Sequence, residues 1–245
     1  MIPKIIHLIW FGGKDIPKKY NKYIDTWKKY LPDYEIRLWN EQSFDVNRFS
    51  FTKEAYNARK WAFVSDFVRI YALYTYGGWY FDTDVEIVKS FNDFENNRVV
   101  LSTDRYGFLE SAIMGAEPMH EYFKAMLIYY EKLQFKKEDG SFNMEVINTY
   151  MQEVLEPFGY VKINKLQSLR GDIIVYTDDY FHVFSLLSGK LYKTENTHSI
   201  HWHSLTWVSK RTLFIRFVRM KLLVPLLGED TYIKLSKAIK IWMGK

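Results

Sequence analysis

The sequence predicts one α/β domain over residues 1–207, followed by a helical, basic extension over 208–245. Three observations lead there. Ile5 to Phe11 is a continuous apolar run with β-branched and aromatic members, closed by Gly12-Gly13, which reads as a buried strand ending in a tight loop. A strand, helix, strand succession fills roughly the first 40 residues, the unit from which parallel sheets are built. From Val208 to Lys245 nine basic residues face only Glu229 and Asp230, so the tail carries +7 of a chain whose net charge is +5, and the body, at −2, is close to neutral.

The elements follow in order. Pro17 to Tyr30 spaces Tyr20, Ile24, Trp27 and Tyr30 on one helical face and is punctuated by Pro32. Tyr34 to Trp39 alternates as a strand, with Tyr34, Ile36 and Leu38 on one side and Glu35, Arg37 and Trp39 on the other. A single helix is expected from about Glu54 to Tyr76, stopped by Gly77-Gly78, and a strand from Trp79 to Val88. Val99 to Ser102 and Ser111 to Gly115 read as strands, and Met119 to Leu133 as a helix. Lys136 to Asn143 is a polar loop and Glu145 to Leu155 a helix, while Tyr160 to His201 is irregular and rich in β-formers. No internal repeat or low-complexity linker interrupts the chain.

Composition narrows the chemistry. With 245 residues, 48% of them hydrophobic, the chain can bury a sizeable core. It has no cysteine, which excludes disulfides, thiolate zinc sites and cysteine nucleophiles. Aromatics reach 18%; Tyr and Trp suit stacking on sugars and bases, although AT-rich coding raises the same residues. A near-neutral body argues against a nucleic-acid partner. The N-terminal apolar run is too short and interrupted for a secretory signal, and no stretch approaches the roughly 18 uncharged residues of a membrane span. The protein is expected to stay in the compartment where it is made.

The most informative segment is Gly77-Gly78-Trp79-Tyr80-Phe81-Asp82-Thr83-Asp84. On a continuing strand Asp82 and Asp84 point the same way, about 7 Å apart. Two carboxylates at the end of a buried strand repel each other and lose hydration unless a cation lies between them. A hard divalent ion, Mn²⁺ or Mg²⁺, takes oxygen ligands and shares them with a diphosphate. The alternative is a pair of solvated acids in a turn. Upstream, Asp66 and Arg69 share a helical face among apolar neighbours. Such a pair, if exposed, contributes a few tenths of a kcal/mol; inside an apolar helix it points to a ligand, for instance ribose hydroxyls and a phosphate.

In this order, Ile2-Pro3-Lys4-Ile5-Ile6-His7-Leu8-Ile9-Trp10-Phe11-Gly12-Gly13, Ser65-Asp66-Phe67-Val68-Arg69 and the Asp82-Thr83-Asp84 strand resemble one glycosyltransferase family. It groups yeast α-1,6-mannosyltransferase initiators, bacterial capsular polysaccharide transferases and the catalytic domains of clostridial glucosylating toxins. The likeness covers about residues 1–90 and resumes at Ile200-His201-Trp202-His203-Ser204-Leu205-Thr206-Trp207, with Thr206 where the family usually has Ser.

The resemblance implies a GT-A fold, a Rossmann-like mixed sheet flanked by helices, and transfer with retention from a nucleotide-sugar donor, by default a UDP-sugar. It places donor contacts at His7, Trp10, Asp66, Arg69, Asp82, Thr206 and Trp207, and metal contacts at Asp82 and Asp84. Trp10 would stack near the base, and Arg69 and Thr206 would meet the leaving phosphate. A histidine of the closing segment is a natural third metal ligand, and His201 is the expected one; the other reading makes His182, His198, His201 and His203 surface residues. A double displacement would require a carboxylate or amide below the anomeric carbon, for which Glu110 and Asn143 stand out, whereas front-face attack requires neither.

The tail completes the expectations. Arg211, Thr212, Arg216 and Arg219 share a helical sector, and Lys234, Lys237 and Lys240 repeat beside Ile233, Leu235, Ile239 and Trp242. A basic amphipathic helix with Trp at its edge reads as a membrane-surface element; packing on the catalytic domain is the other reading. With a glycan or lipid-linked saccharide as acceptor, the expected place is the inner face of a bacterial cell membrane. A phosphotransferase lacks its G-x-x-x-x-G-K loop here, and a glycoside hydrolase would flank its sugar with two carboxylates rather than put both on one strand. A non-catalytic, membrane-associated saccharide-binding adaptor remains as the non-enzymatic alternative.

Overall fold

The computed structural model describes residues 1–204, 214, 215 and 217–242, with side chains to residue 235. Its centre is a seven-stranded mixed sheet in the order β2-β1-β3-β6-β5-β8-β7. The strands are β1 (Ile5–Ile9), β2 (Glu35–Trp39), β3 (Gly78–Phe81), β5 (Val99–Thr103), β6 (Leu109–Ala116), β7 (Gln167–Leu169) and β8 (Ile173–Tyr176). β1 runs parallel to β2 and β3, β6 is antiparallel to β3 and β5, and β5 runs parallel to β8. A second, two-stranded sheet pairs β4 (Val85–Ile87) with β9 (Ser199–His201). This mixed sheet flanked by helices is the architecture the sequence predicts.

Alternating side chains give the sheet two apolar faces. Tyr80, Leu101 and Met114 pack under α3 (Trp61–Tyr76), α4 (Glu121–Glu131) and α5 (Ile147–Leu155). Trp79, Phe81, Val100 and Ile113 face the other way, against Trp27 of α1 (Asn21–Tyr30), Val85 and Ile87 of the small sheet, and Phe181 of α6 (Asp178–Phe181). Trp27 is fully buried and its Nε1–H donates to the Val85 carbonyl at 2.7 Å, which pins β4 to α1. Burying one such side chain contributes about 1.5–3 kcal/mol.

Two expectations need correction. The expected helix from Glu54 is two helices, α2 (Ser50–Asn57) and α3. Arg59 takes a left-handed conformation (φ 56°) and Lys60 N donates back to Ala55 O at 2.9 Å, a helix stop made without the usual glycine signal. On β2 Leu38 and Trp39 face opposite ways, as their alternation predicts, with Trp39 buried and Leu38 exposed. β2 is the edge strand, and the Trp39 ring packs edge-on against Phe44 and Tyr71. The strand from Trp79 stops at Phe81, and Asp82-Thr83-Asp84 form a turn closed by Val85 N to Asp82 O at 3.0 Å. The two carboxylates therefore sit where the chain leaves one sheet for the other, not in strand alternation.

The described part of the extension lies against the body. Glu229, at the start of the helix Glu229–Trp242, accepts from Arg105 Nη1 at 2.5 Å, Ser185 Oγ at 2.9 Å and Tyr192 OH at 3.0 Å. Arg219 Nη2 donates to Leu186 O at 2.9 Å.

Gly78 has φ +94°, and a Cβ there would stand 2.6 Å from Ile5 O, inside the β1–β3 pairing. Gly78→Ala is expected to lower unfolding free energy by about 1–3 kcal/mol, read as an earlier urea midpoint at unchanged slope.

Candidate active site

Parallel β1 and β3 lie side by side, so Trp10 and Asp82 emerge next to each other at the carboxyl ends of the strands. That is where open α/β sheets bind ligands. The loop after β1 is shaped by Glu41, whose Oε1 accepts from Gly12 N at 2.7 Å, Gly13 N at 3.0 Å and Tyr56 OH at 3.0 Å. Trp10 is half-buried with its ring 5.9 Å from that of Tyr20, and its buried Nε1–H has no hydrogen-bond partner among the described residues.

Asp84 is 6% exposed. One carboxylate oxygen accepts from Ser204 N at 2.5 Å and Ser204 Oγ at 2.7 Å, and the other lies 3.4 Å from His201 Nε2. Burial alone would raise its pKa; the His201 and Ser204 contacts outweigh that and hold it well below the usual carboxylate range. Pairing of β4 with β9 puts Val85 opposite His201, which carries the imidazole to the turn. Asp82 Oδ2 is 3.6 Å from His201 Nε2, and its other oxygen accepts from Tyr80 OH. Burial lowers the His201 pKa, but Asp84, Asp82 and Glu110 together raise it above its ordinary value. The ring of His203, at φ 48°, lies against His201 with centroids 3.7 Å apart and the planes tilted by 38°.

Ligand atoms of Asp82, Asp84 and His201 all lie within 4.8 Å of one another. Two carboxylates and an imidazole converging on one point fit a divalent cation of the Mn²⁺ type, which accepts both oxygen and nitrogen donors.

Behind Asp82 stands a buried ionic network. Arg69, 7% exposed, pairs with Asp66 at 2.9 Å and Asp82 at 3.4 Å. It also donates to Ser111 O at 3.1 Å, and its guanidinium lies 4.3 Å from the centre of the Tyr80 ring. Burial pushes Asp66 up to about 6, with Arg69 opposing and Asp82 adding. The sequence reading put Arg69 on the leaving phosphate. The structure instead spends its N–H groups on Asp66, Asp82 and Ser111, so it orients the carboxylates from behind. Removing one partner of such a pair leaves a buried charge uncompensated, at a cost of about 3–5 kcal/mol.

Of the remaining expected residues, His7 is corrected. Its ring is fully buried, Nε2–H donates to Gly77 O at 2.7 Å, and Nδ1 accepts from Trp39 Nε1–H at 3.0 Å. No ring nitrogen is left for a donor, and burial holds its pKa at about 4. Glu110 is in place beside His201, pushed up to about 7 by burial with the His201 charge opposing. Asn143 shapes its own loop, accepting from Glu145 N at 3.2 Å. The amide that touches Glu110 is that of Asn148, which also meets Ser111 Oγ at 2.9 Å and Leu109 O at 2.7 Å. Thr206 and Trp207 lie outside the described residues. Sequence reasoning passed over Tyr80 and Ser204, and offered His182 only as a surface residue, whereas it is buried, as are His198 and His201. Tyr80 was legible, since it stands two positions before Asp82 on the strand that leads to it; Ser204 and His182 required the fold.

Residues 17–101 match the family model described as the glycosyltransferase sugar-binding region containing DXD motif, about a third of the chain. That stretch holds Asp66, Arg69, Asp82 and Asp84, while Trp10, His201 and Ser204 lie outside it.

The chain is 28% identical over 141 residues to inositol phosphoceramide mannosyltransferase 2 of Schizosaccharomyces pombe, a match covering 54% of this chain and 39% of that protein. It therefore spans about two fifths of that relative's length. It is 24% identical over 238 residues to an uncharacterized glycosyltransferase of Acanthamoeba polyphaga mimivirus, with 91% of each covered. Among solved structures, the PaToxG glycosyltransferase resembles it at a TM-score of 0.48 and 19% identity, over 64% of this chain and 68% of that one. At that TM-score the likeness carries no argument, and the fold rests on the sheet topology.

The neutral, doubly bonded His7 makes a test of linkage. The unfolded chain protonates it near 6.5 and the folded chain only near 4, so the unfolded state binds more protons in between. Stability is expected to fall as pH drops through this window, by up to about 3 kcal/mol from this group. Urea unfolding at a series of pH values checks it, and His7→Gln is expected to flatten the slope.

Proposed function

We propose that the chain transfers a sugar, with retention of configuration, from a nucleotide-sugar donor (a UDP-sugar by default) to a glycan or lipid-linked saccharide acceptor. The observation that carries this reading is the convergence of Asp82, Asp84 and His201 within 4.8 Å, at strand ends inside or beside a DXD glycosyltransferase region. The relatives are named as glycosyltransferases or mannosyltransferases, which supports the same reading.

Asp82, Asp84 and His201 would hold Mn²⁺ or Mg²⁺, which when bound neutralises the charge that gathers on a departing diphosphate. The chain's own residues do the rest. Tyr80 and Arg69 fix one oxygen of Asp82, which leaves the second, 3.6 Å from His201 Nε2, for the ion. Ser204 holds Asp84 ionised with one oxygen occupied. Trp10, next to Asp82 and with its Nε1–H unspent, is placed to meet the base or ribose. Asp66 and Arg69 form the polar wall behind the donor. Attack from the front face lets the leaving phosphate oxygen take the acceptor's proton; Glu110 is the one carboxyl placed for the sugar side.

The test is nucleotide binding and donor hydrolysis with and without Mn²⁺. Wild type is expected to release UDP from one sugar nucleotide in a metal-dependent way. Asp84→Ala is expected to lose this by at least about a hundredfold, the scale of removing a charge-stabilising group. No nucleotide binding and indifference to metal would replace this reading with that of a saccharide-binding adaptor.

We also propose that the extension rests on an anionic membrane surface at the cytoplasmic face. Phe214, Ile215, Phe217, Leu222, Leu226 and Leu227 are exposed, with exposed Lys221 and Lys234 on the same segment. Among the described residues no helix is long and apolar enough to cross a membrane. The full chain is expected to sediment with vesicles containing phosphatidylglycerol, and Leu222→Glu with Leu226→Glu to remain in the supernatant. Equal sedimentation of both would overturn the proposal.

A further inference from the structure

His201 stands between two groups of metal-capable side chains. Asp82 and Asp84 complete one group with it, Glu110 and His182 the other, and in each group the ligand atoms fall within 4.8 Å of one another. His182 takes no part in the transfer described above. It follows α6, is 7% exposed, and has Ser102 Oγ 2.8 Å from its Nε2. Glu110 lies on β6 and is partly buried. The His182 and His201 rings are 6.1 Å apart and steeply inclined to each other.

The unusual feature is what these rings leave over. With Ser102 on Nε2 of His182 and the two aspartates on Nε2 of His201, Nδ1 remains on each ring. Both Nδ1 atoms are buried and neither has a hydrogen-bond partner among the described residues. A buried polar atom without a partner is costly, and native interiors avoid such atoms. Here two occur, on the two rings that cluster with Glu110. When Nε2 of each ring carries its proton, the lone pairs of both Nδ1 atoms and the Glu110 carboxylate are acceptors with no donor between them.

We propose that Glu110, His182 and His201 form a second cation site that takes Zn²⁺. Two imidazoles and one carboxylate, with a position left for water, make a zinc ligand set, whereas Mg²⁺ and Mn²⁺ prefer sites richer in oxygen. A neutral imidazole has only one lone pair to give. His201 therefore serves either the Asp82–Asp84 ion through Nε2 or the Zn²⁺ ion through Nδ1. The two sites compete for one ring, and zinc bound at the second withdraws a ligand from the first. Zinc is then an inhibitor of transfer that acts without displacing the donor. The competition rests on the proposed function; the zinc site itself does not.

The experiment is calorimetric titration of the full chain with Zn²⁺, comparing wild type, Asp84→Asn, His182→Gln and Glu110→Gln. Asp84→Asn removes the carboxylate site and is expected to keep zinc affinity. His182→Gln retains side-chain volume and is expected to weaken zinc by more than about tenfold, the lower bound even for groups that only support a metal ligand. Glu110→Gln is the second variant should His182→Gln fail to fold, which a thermal melt reports, and is expected to lose zinc equally. Co²⁺ in place of zinc should give strong tetrahedral visible absorption in Asp84→Asn and lose it in His182→Gln. With Mn²⁺ and donor present, His182→Gln is expected to retain transfer and lose its inhibition by zinc. Zinc affinity unchanged in both His182→Gln and Glu110→Gln, or lost in Asp84→Asn alone, overturns the proposal. Absent transfer in wild type would sink the proposed function while the zinc titration still decides the site.

Discussion

The contact between Asp84 and the segment His201–Ser204 ties together two parts of the chain that are far apart in sequence. Asp84 closes the turn between the two sheets, and Ser204 meets it with both a backbone N–H and a hydroxyl. Its carbonyl also accepts from Trp202 N at 3.2 Å. Inside protein, where the effective dielectric is lower than in water, these charge-assisted bonds are strong and keep the carboxylate ionised despite its burial. Everything proposed for the site depends on this clamp, because it is what carries His201 to Asp82 and Asp84.

A second constraint works from the opposite side. Arg69 is too buried to be left without partners, so Asp66, Asp82 and Ser111 all turn towards it. The helix that presents Arg69 and Asp66 is also the main cover of one sheet face through Phe67, Val68 and Ile70. Packing and electrostatics are thereby coupled: a change that shifts α3 on the sheet shifts Asp82. The same arrangement explains why Asp82 keeps one oxygen spent on Tyr80 and Arg69 while the other faces His201. A carboxylate held at one oxygen loses little further freedom when the second is used.

His201 is the point where these systems meet. It belongs both to the Asp82–Asp84 group and to the Glu110–His182 group, and the tilted ring of His203 lies against it. A ring so enclosed cannot rotate freely, so its protonation state and tautomer depend on which neighbours hold a cation. That makes the imidazole a natural point of control, since its two nitrogens cannot both serve as neutral ligands.

The α/β class, most strands and helices, and the setting of Asp66, Asp82 and Asp84 among apolar residues were legible because they rest on local periodicity. Those signals lie within a few residues of each other. The break at Arg59 was not, since it is a left-handed stop without glycine, and which face of β2 is buried required the edge strand's meeting with Phe44 and Tyr71. His7 looked like part of the donor site because of the motif around it; the fold gives both its nitrogens to Gly77 and Trp39. The sequence by itself determined which chemistry-bearing residues exist and which secondary elements bear most of them. Only the tertiary structure decided that Ser204 clamps Asp84, that Arg69 works from behind, and that His182 and Glu110 share His201. The physical reason is that strand pairing across more than a hundred residues, such as Val85 with His201, leaves no periodic trace along the chain.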